Sequence, residues 1–371
     1  ETTGRAPPPR LPCDPAEPPT AGDARTPLPC SALRHLMRPV PAAQALVLSA
    51  GACPPVPPIL TVTLNPALDM STETPRVAPN AKLRCAPPRL DPGGGGANGS
   101  RALARMGGEG RAFIAAGGPS GAEYRRLLED EGVAAVWFDP GGDVRRSLAV
   151  TDAATGDQYR FLLPGADWTS STVDAALDAV AAAAGQGALV ALSGSQPSGA
   201  PADLPLRLAE RLASHGAGLA VATSGPALDA CVAGGPAPLD LLRMDRAEAG
   251  GVLGVAEPGE ADALAFARRL VSSGAARQAV VTLAGDGAVA VSAEAAWRVT
   301  PPVMQVVSAV GAGDSFLAGF LTATHRGEDL RGRLALAMAA AAAAVTTPAT
   351  ELCRPEDVAA LLPRMELRPL P

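Results

Sequence analysis

The chain has 371 residues, with 31 lysines and arginines against 37 aspartates and glutamates, a formal net charge of −6. An acidic chain with 3% aromatic residues and no basic stripe is unsuited to nucleic acid. The longest apolar stretch near the C-terminus, residues 334–345, falls short of the roughly 18–20 residues a bilayer requires, so the chain reads as soluble with no membrane partner. Lys82 is the only lysine and is followed by Leu83, which excludes the Gly-Lys-[Ser/Thr] of a Walker A loop. Cysteines 13, 30, 53, 85, 231 and 353 form no Cys-x-x-Cys pair, and only three histidines accompany them. This argues against zinc and redox motifs and for free thiols in a reducing, cytoplasmic compartment.

Residues 1–58 hold 15 of the 38 prolines, too many for a stretch that must bury enough surface to offset its ordering entropy. This predicts a disordered extension ahead of one domain over 59–371. From Ile59 the pattern becomes globular. Strands are predicted at 59–64, 111–115, 189–192, 219–222, 239–242 and 279–283, with helices at 100–106, 122–131, 173–184, 205–214 and 260–272. Strands alternating with helices imply βαβ units and a mostly parallel sheet covered on both faces. Two polar, alternating segments, about 71–88 and 136–161, break that rhythm and predict a small separate sheet acting as a lid. The C-terminal part reads as helices at 312–324, 333–346 and 355–362.

Three segments carry candidate chemistry. In Asp91-Pro-Gly-Gly-Gly-Gly-Ala-Asn-Gly-Ser100, four glycines let backbone N–H groups approach a ligand, and Asn98 and Arg101 are placed for contacts. Its Gly94-x-Gly96-x-x-Gly99 matches the dinucleotide fingerprint only formally, because that motif needs a preceding strand where Pro87, Pro88 and Pro92 crowd the approach. In Val310-Gly-Ala-Gly-Asp-Ser315, Gly311, Ala312 and Gly313 can form an anion-binding nest at a helix start. Asp314 beside it suits a general base for an alcohol attacking a phosphoryl group, or equally an aspartate that stabilises its own helix. In Arg243-Met-Asp-Arg-Ala-Glu248, Asp245 and Glu248 would share one helix face, suited to holding magnesium through water or to a solvated helix start.

In chain order, the glycine-rich segment, the 243–248 stretch after a strand and the Gly-Ala-Gly-Asp opening of a late helix resemble the ribokinase-like (PfkB) carbohydrate kinase family. Thr63-Leu-Asn-Pro-Ala-Leu-Asp69, Lys82-Leu-Arg-Cys85, Pro92-Gly-Gly-Gly-Gly-Ala-Asn98, Asp157-Gln-Tyr-Arg-Phe161 and Ser193-Gly-Ser-Gln-Pro197 are similar to its phosphosugar kinases, and the similarity spans about residues 60–362. The resemblance implies a three-layer αβα sandwich with a mostly parallel central sheet and a β lid. It also implies ATP and Mg2+, and a homodimer through the lid sheet. The implied reaction is transfer to the C1 hydroxyl of fructose 6-phosphate, with tagatose 6-phosphate and fructose 1-phosphate as alternative acceptors. By the same resemblance Asp69, Gly94 and Asn98 contact the sugar. Arg145 and Ser195 lie near its phosphate, Lys82 is a lid lysine near the substrate, Thr282 and Gly287 lie beside the nucleotide, and Asp314 is the base with Gly311–Gly313 as anion hole.

The chain departs from that pattern where the resembling kinases carry Lys-Pro-Asn-x-x-Glu. Arg243 replaces a compact charge by a planar fork, and Asp245 adds a negative charge beside an anionic nucleotide. Ala284 replaces a glycine, which matters if φ is positive there, and Ser147 and Gln196 also differ. Two other readings are a non-catalytic sugar-phosphate-binding protein and a nicotinamide-dependent oxidoreductase using residues 94–99.

Overall fold

The computed structural model describes residues 59–348 and 350–371, and the expectation for 1–58 lies outside the described residues. The chain opens with β1 (Ile59–Thr63), β2 (Ala67–Thr74), β3 (Arg89–Gly93), α1 (Gly95–Arg105), β4 (Gly110–Ala115) and α2 (Gly118–Asp130). It continues through β5 (Ala135–Phe138), β6 (Arg145–Asp152), β7 (Gln158–Leu162), α3 (Ser170–Ala184), β8 (Leu189–Ser193) and α4 (Leu204–Ala213). Then come β9 (Gly218–Ala222), α5 (Pro226–Ala233), β10 (Leu241–Asp245), α6 (Arg246–Leu253), α7 (Glu260–Ser272) and β11 (Gln278–Thr282). The last elements are β12 (Ala288–Ser292), β13 (Ala296–Thr300), α8 (Ala312–His325), α9 (Leu330–Ala344), α10 (Pro355–Leu361) and β14 (Glu366–Pro369).

Ten strands make the central sheet in the order β14-β13-β12-β11-β10-β9-β8-β1-β4-β5. The seven from β11 to β5 run parallel, and β12, β13 and β14 are added antiparallel at one edge. The two sheet faces differ in bulk. One presents Leu60, Val62, Val190, Leu192, Val221 and Val281 to α3, α4 and α7. The other presents small residues, Ala191, Ala220, Ala222, Ala288 and Ala290, to α8 and α9. Because side chains alternate across a strand, this split is written into each strand's sequence. Alanines on the sheet and an alanine-rich α9 let helix and sheet approach closely. The same closeness recurs between helices, where a Cβ on Gly319 of α8 would lie 2.8 Å from Ala337 Cα of α9.

A second sheet of four strands, ordered β3-β2-β6-β7, lies apart from the first. It corrects the predicted lid boundaries. Residues 75–88 contain no strand, since Pro75, Pro79, Pro87 and Pro88 cannot supply a ladder of N–H donors, and the strands begin earlier at Ala67 and later at Arg89. Val136–Phe138, predicted as lid, pairs with β4 in the central sheet as part of β5. Pro92 is tolerated because β3 is an edge strand. A strand therefore does precede the glycine loop, but it is an antiparallel lid strand, not the parallel strand of a dinucleotide fold. The three described cysteines, Cys85, Cys231 and Cys353, are free thiols.

Candidate active site

The C-terminal ends of the parallel strands β8, β10 and β11 form the rim that carries Ser195, Arg243, Asp245 and Thr282, as expected for an open α/β sheet, whereas Asp69, Lys82 and Arg145 belong to the lid. Helix α1 begins earlier than predicted, inside the glycine run, with Gly94 at φ +124° as N-cap. A Cβ on Gly95 would overlap Ser193 Oγ of β8, and one on Gly96 would overlap Val62 O of β1. The glycines thus let the helix start press onto the sheet, where Ala97 N donates to Thr63 Oγ1 at 2.7 Å. Their first use is close packing of backbone on backbone rather than an open ligand cradle.

One turn further, Asn98 Nδ2 donates to Asp314 Oδ2 at 3.0 Å, across 216 residues of sequence. Asp314 lies in the first turn of α8, whose N-cap Gly311 adopts a left-handed φ of +80° and brings no capping side chain. Of the first-turn amides, Ala312 N makes only a long 3.4 Å bond to Ala309 O. Helix-start N–H groups without partners attract negative charge. Burial pushes the Asp314 carboxyl above the usual aspartate value, opposed by the Asn98 hydrogen bond, the Arg243 charge, the Ser193 hydroxyl and the Arg101 charge. A carboxylate with a raised pKa beside open amides is arranged to accept a proton while the amides bind an anion.

Arg243, at the end of β10, reaches the same place. Its Nη2 donates to Thr282 Oγ1 at 2.9 Å, and a Cβ on Gly313 would sit 3.0 Å from that nitrogen. Its Nε is buried with no partner. Thr282 accordingly acts as the brace for Arg243. Gly287 turns the chain into β12 at φ +102°, where a Cβ would overlap Val299 O, so its conformation is set by the strand pairing. Ala284, one position where a glycine was expected, does take a positive φ of +53°.

Asp245 and Glu248 close the start of α6 as a reciprocal capping box. Glu248 N donates to Asp245 Oδ1 and Asp245 N to Glu248 Oε2, both at 2.8 Å. Burial and the neighbouring Asp245 charge raise the Glu248 pKa against the backbone N–H and Arg243. Among the described residues no group of three or more histidine, cysteine, aspartate or glutamate side chains is arranged to hold a metal. Asp245 Oδ2 and Glu248 Oε1 are not used by the box. Two single oxygens of this kind suit a hydrated hard cation held through water rather than a closed cage.

Asp69 on β2 faces Ser147 on β6, and burial raises its pKa against the Ser147 hydrogen bond and the Arg145 and Arg160 charges. Gly93 must lack a side chain there, since a Cβ would overlap the Asp69 carboxylate. Asn65, given no role from sequence, links two predicted phosphate contacts. Its carbonyl accepts from Arg145 Nε at 3.4 Å, and its Nδ2 donates to Ser195 Oγ at 3.2 Å and Gln196 O at 3.1 Å. Only its place inside the Thr63–Asp69 motif could have drawn attention to it. Lys82 stands apart on the exposed 75–88 connection, with no hydrogen bond or ion pair to the described residues.

Known proteins are similar to this chain in sequence and fold. The pattern of the pfkB family carbohydrate kinases matches residues 64–357. The ATP-dependent 6-phosphofructokinase isozyme 2 of Mycobacterium tuberculosis (strain H37Rv) is 37% identical over 302 residues, covering 81% of this chain and 88% of that protein. The 1-phosphofructokinase of Rhodobacter capsulatus is 33% identical over 318 residues, covering 84% and 98%. The crystal structure of phosphofructokinase-2 from Escherichia coli in complex with fructose-6-phosphate superposes with a TM-score of 0.76 at 32% identity, covering 83% of this chain and 99% of that one. A match that runs from the lid strands through both glycine segments does not depend on any one motif, and the chain belongs to the pfkB family of carbohydrate kinases.

Proposed function

We propose that this kinase transfers the γ-phosphoryl group of ATP to the C1 hydroxyl of fructose 6-phosphate, giving fructose 1,6-bisphosphate and ADP. The observation that carries the reading is the Asn98–Asp314 hydrogen bond, which joins the glycine loop to the open start of α8. Asp314 takes the hydroxyl proton as the acceptor oxygen bonds to phosphorus and the bond to the ADP oxygen breaks. The amides of Gly311–Gly313 and the Arg243 guanidinium face the transferring group and balance its charge. Asp69, Gly94 and Asn98 serve the sugar hydroxyls, Arg145 and Ser195 its phosphate, Lys82 would near the substrate only as the lid closes, and Thr282 and Gly287 border the nucleotide. Asp245 and Glu248 are the residues to hold Mg2+ through water, and that ion neutralises nucleotide phosphate charge when bound. Closure of the lid would keep water from intercepting ATP.

We assign the working form as a cytoplasmic homodimer joined through the lid. Support comes from β7, whose five residues are all exposed, with Phe161 at 52% and Leu162 at 64%. A mass measurement in solution checks this, and a monomer at working concentration would end it.

The function is tested by coupled ADP release with Mg-ATP and a panel of phosphosugars. Fructose 6-phosphate is expected to give the highest kcat/KM. The likeness to a 1-phosphofructokinase favours fructose 1-phosphate as the second reading, which wins if that sugar turns over faster. Sugar binding without any ADP release would leave a non-catalytic homologue.

A further inference from the structure

Arg101 has no part in the reaction as derived above, yet its side chain is only 1% exposed. A guanidinium is buried at a net cost unless its N–H groups are matched by acceptors. Glu131, just past the end of α2, supplies a two-pronged match: Arg101 Nε donates to its Oε2 and Arg101 Nη2 lies against its Oε1, both at 2.7 Å. The third contact points the other way, from Arg101 Nη1 to Asn98 Oδ1 at 3.0 Å.

Arginine carries donors only, so the oxygen of the Asn98 amide must face it and the NH2 must face Asp314. The flipped amide would set NH2 against a guanidinium and oxygen against a carboxylate. We infer that Arg101 and Glu131 are positioning residues for phosphoryl transfer: their ion pair locks the Asn98 amide, and that amide holds Asp314 in one orientation toward the acceptor hydroxyl. The inference rests on Asp314 being the base proposed above. The groups facing that carboxylate are Asn98 and Arg101 from α1, Ser193 from β8 and Arg243 from β10. Arg101 is thus one of only two cations among them.

The test compares the full chain with Arg101→Met and Glu131→Gln, measuring kcat, both KM values, the pH profile of kcat and thermal melting. Arg101→Met frees the amide and removes a positive charge. Its kcat is expected to fall roughly 100-fold, as for a misplaced reacting group, with the KM for ATP little changed. The acid limb of its profile moves to higher pH. Glu131→Gln keeps an acceptor but leaves the arginine charge unbalanced, so kcat falls less, about tenfold, and the acid limb moves to lower pH. A merely structural pair would lower the melting temperature in both variants without moving the limb. Folded variants with wild-type kcat and an unmoved limb overturn the inference. Should Arg101→Met fail to fold, Glu131→Gln decides alone, because that side chain is 28% exposed and keeps its shape. An inactive wild-type protein would instead defeat the assigned function, which the same assay reads separately.

Discussion

Helices α6 and α8 start on the same rim of the sheet and start differently. At α6, Asp245 and Glu248 turn their carboxylates back onto each other's backbone N–H groups and close the end. At α8, a left-handed glycine brings no capping side chain, and the acid of the first turn reaches to Asn98 on another helix. A helix end sealed by its own side chains is spent on stability, whereas an unsealed one retains amides for an anion. Similar acidic residues at two helix starts thus close one end and leave the other without a side-chain cap.

Substitution of Asp314 strains this contrast most. Asp314→Asn should lower kcat by about three orders of magnitude while leaving the fold intact, measured by ADP release and melting. Because the folded-state pKa of Asp314 is raised, its charge costs stability at every pH above that value, and the cost fades as pH falls through it toward the unfolded value. Asp314→Asn should therefore melt higher than wild type near pH 7, and kcat/KM of the wild type should decline on the acid side at a pH above the ordinary aspartate range. A lower melting point for the variant would return Asp314 to a helix-stabilising part like that of Asp245.

Gly311→Ala comes next. The added Cβ meets Leu352 Cδ2 at 2.5 Å from a φ of +80°, and the expected loss is about 1–3 kcal/mol in denaturant unfolding, together with a lower kcat. At the sealed end, Asp245→Ala should cost about 1 kcal/mol of stability through the lost cap. Asp245→Asn keeps a good capping residue and should melt as wild type does, while both variants need more Mg2+ for half-maximal rate. The smallest change is Ala284→Gly, which relieves a positive φ and should stabilise by about 1 kcal/mol in the same unfolding assay.

The alternating 59–64 stretch announced its strand, and Gly-Ala-Gly-Asp314 announced a helix start, because both signals are local in the chain. Less local features were harder to read. The β12–β13 hairpin escaped because one face of β12 is alanine, Ala288 and Ala290 against α9, which leaves only Val289 and Val291 to carry a β-branched signal. Residues 75–88 read as a polar lid strand, yet Pro75, Pro79, Pro87 and Pro88 leave gaps in the N–H donors that a strand needs. Whether Asp245 and Glu248 cap a helix or face a metal cannot be separated by spacing alone, since one geometry serves both. Asn98 was assigned to the sugar by resemblance, and its tie to Asp314 spans 216 residues. The Arg101–Glu131 pair, 30 residues apart, likewise follows from how α1 and α2 pack and from no period in the sequence.

The solitary lysine has a practical side. With Lys82 alone on an exposed connection between β2 and β3, any reagent selective for ε-amines can mark only one side chain in all 371 residues. An acyl label or a dye attached there reports on the strand-to-strand connection of the lid without a single engineered cysteine.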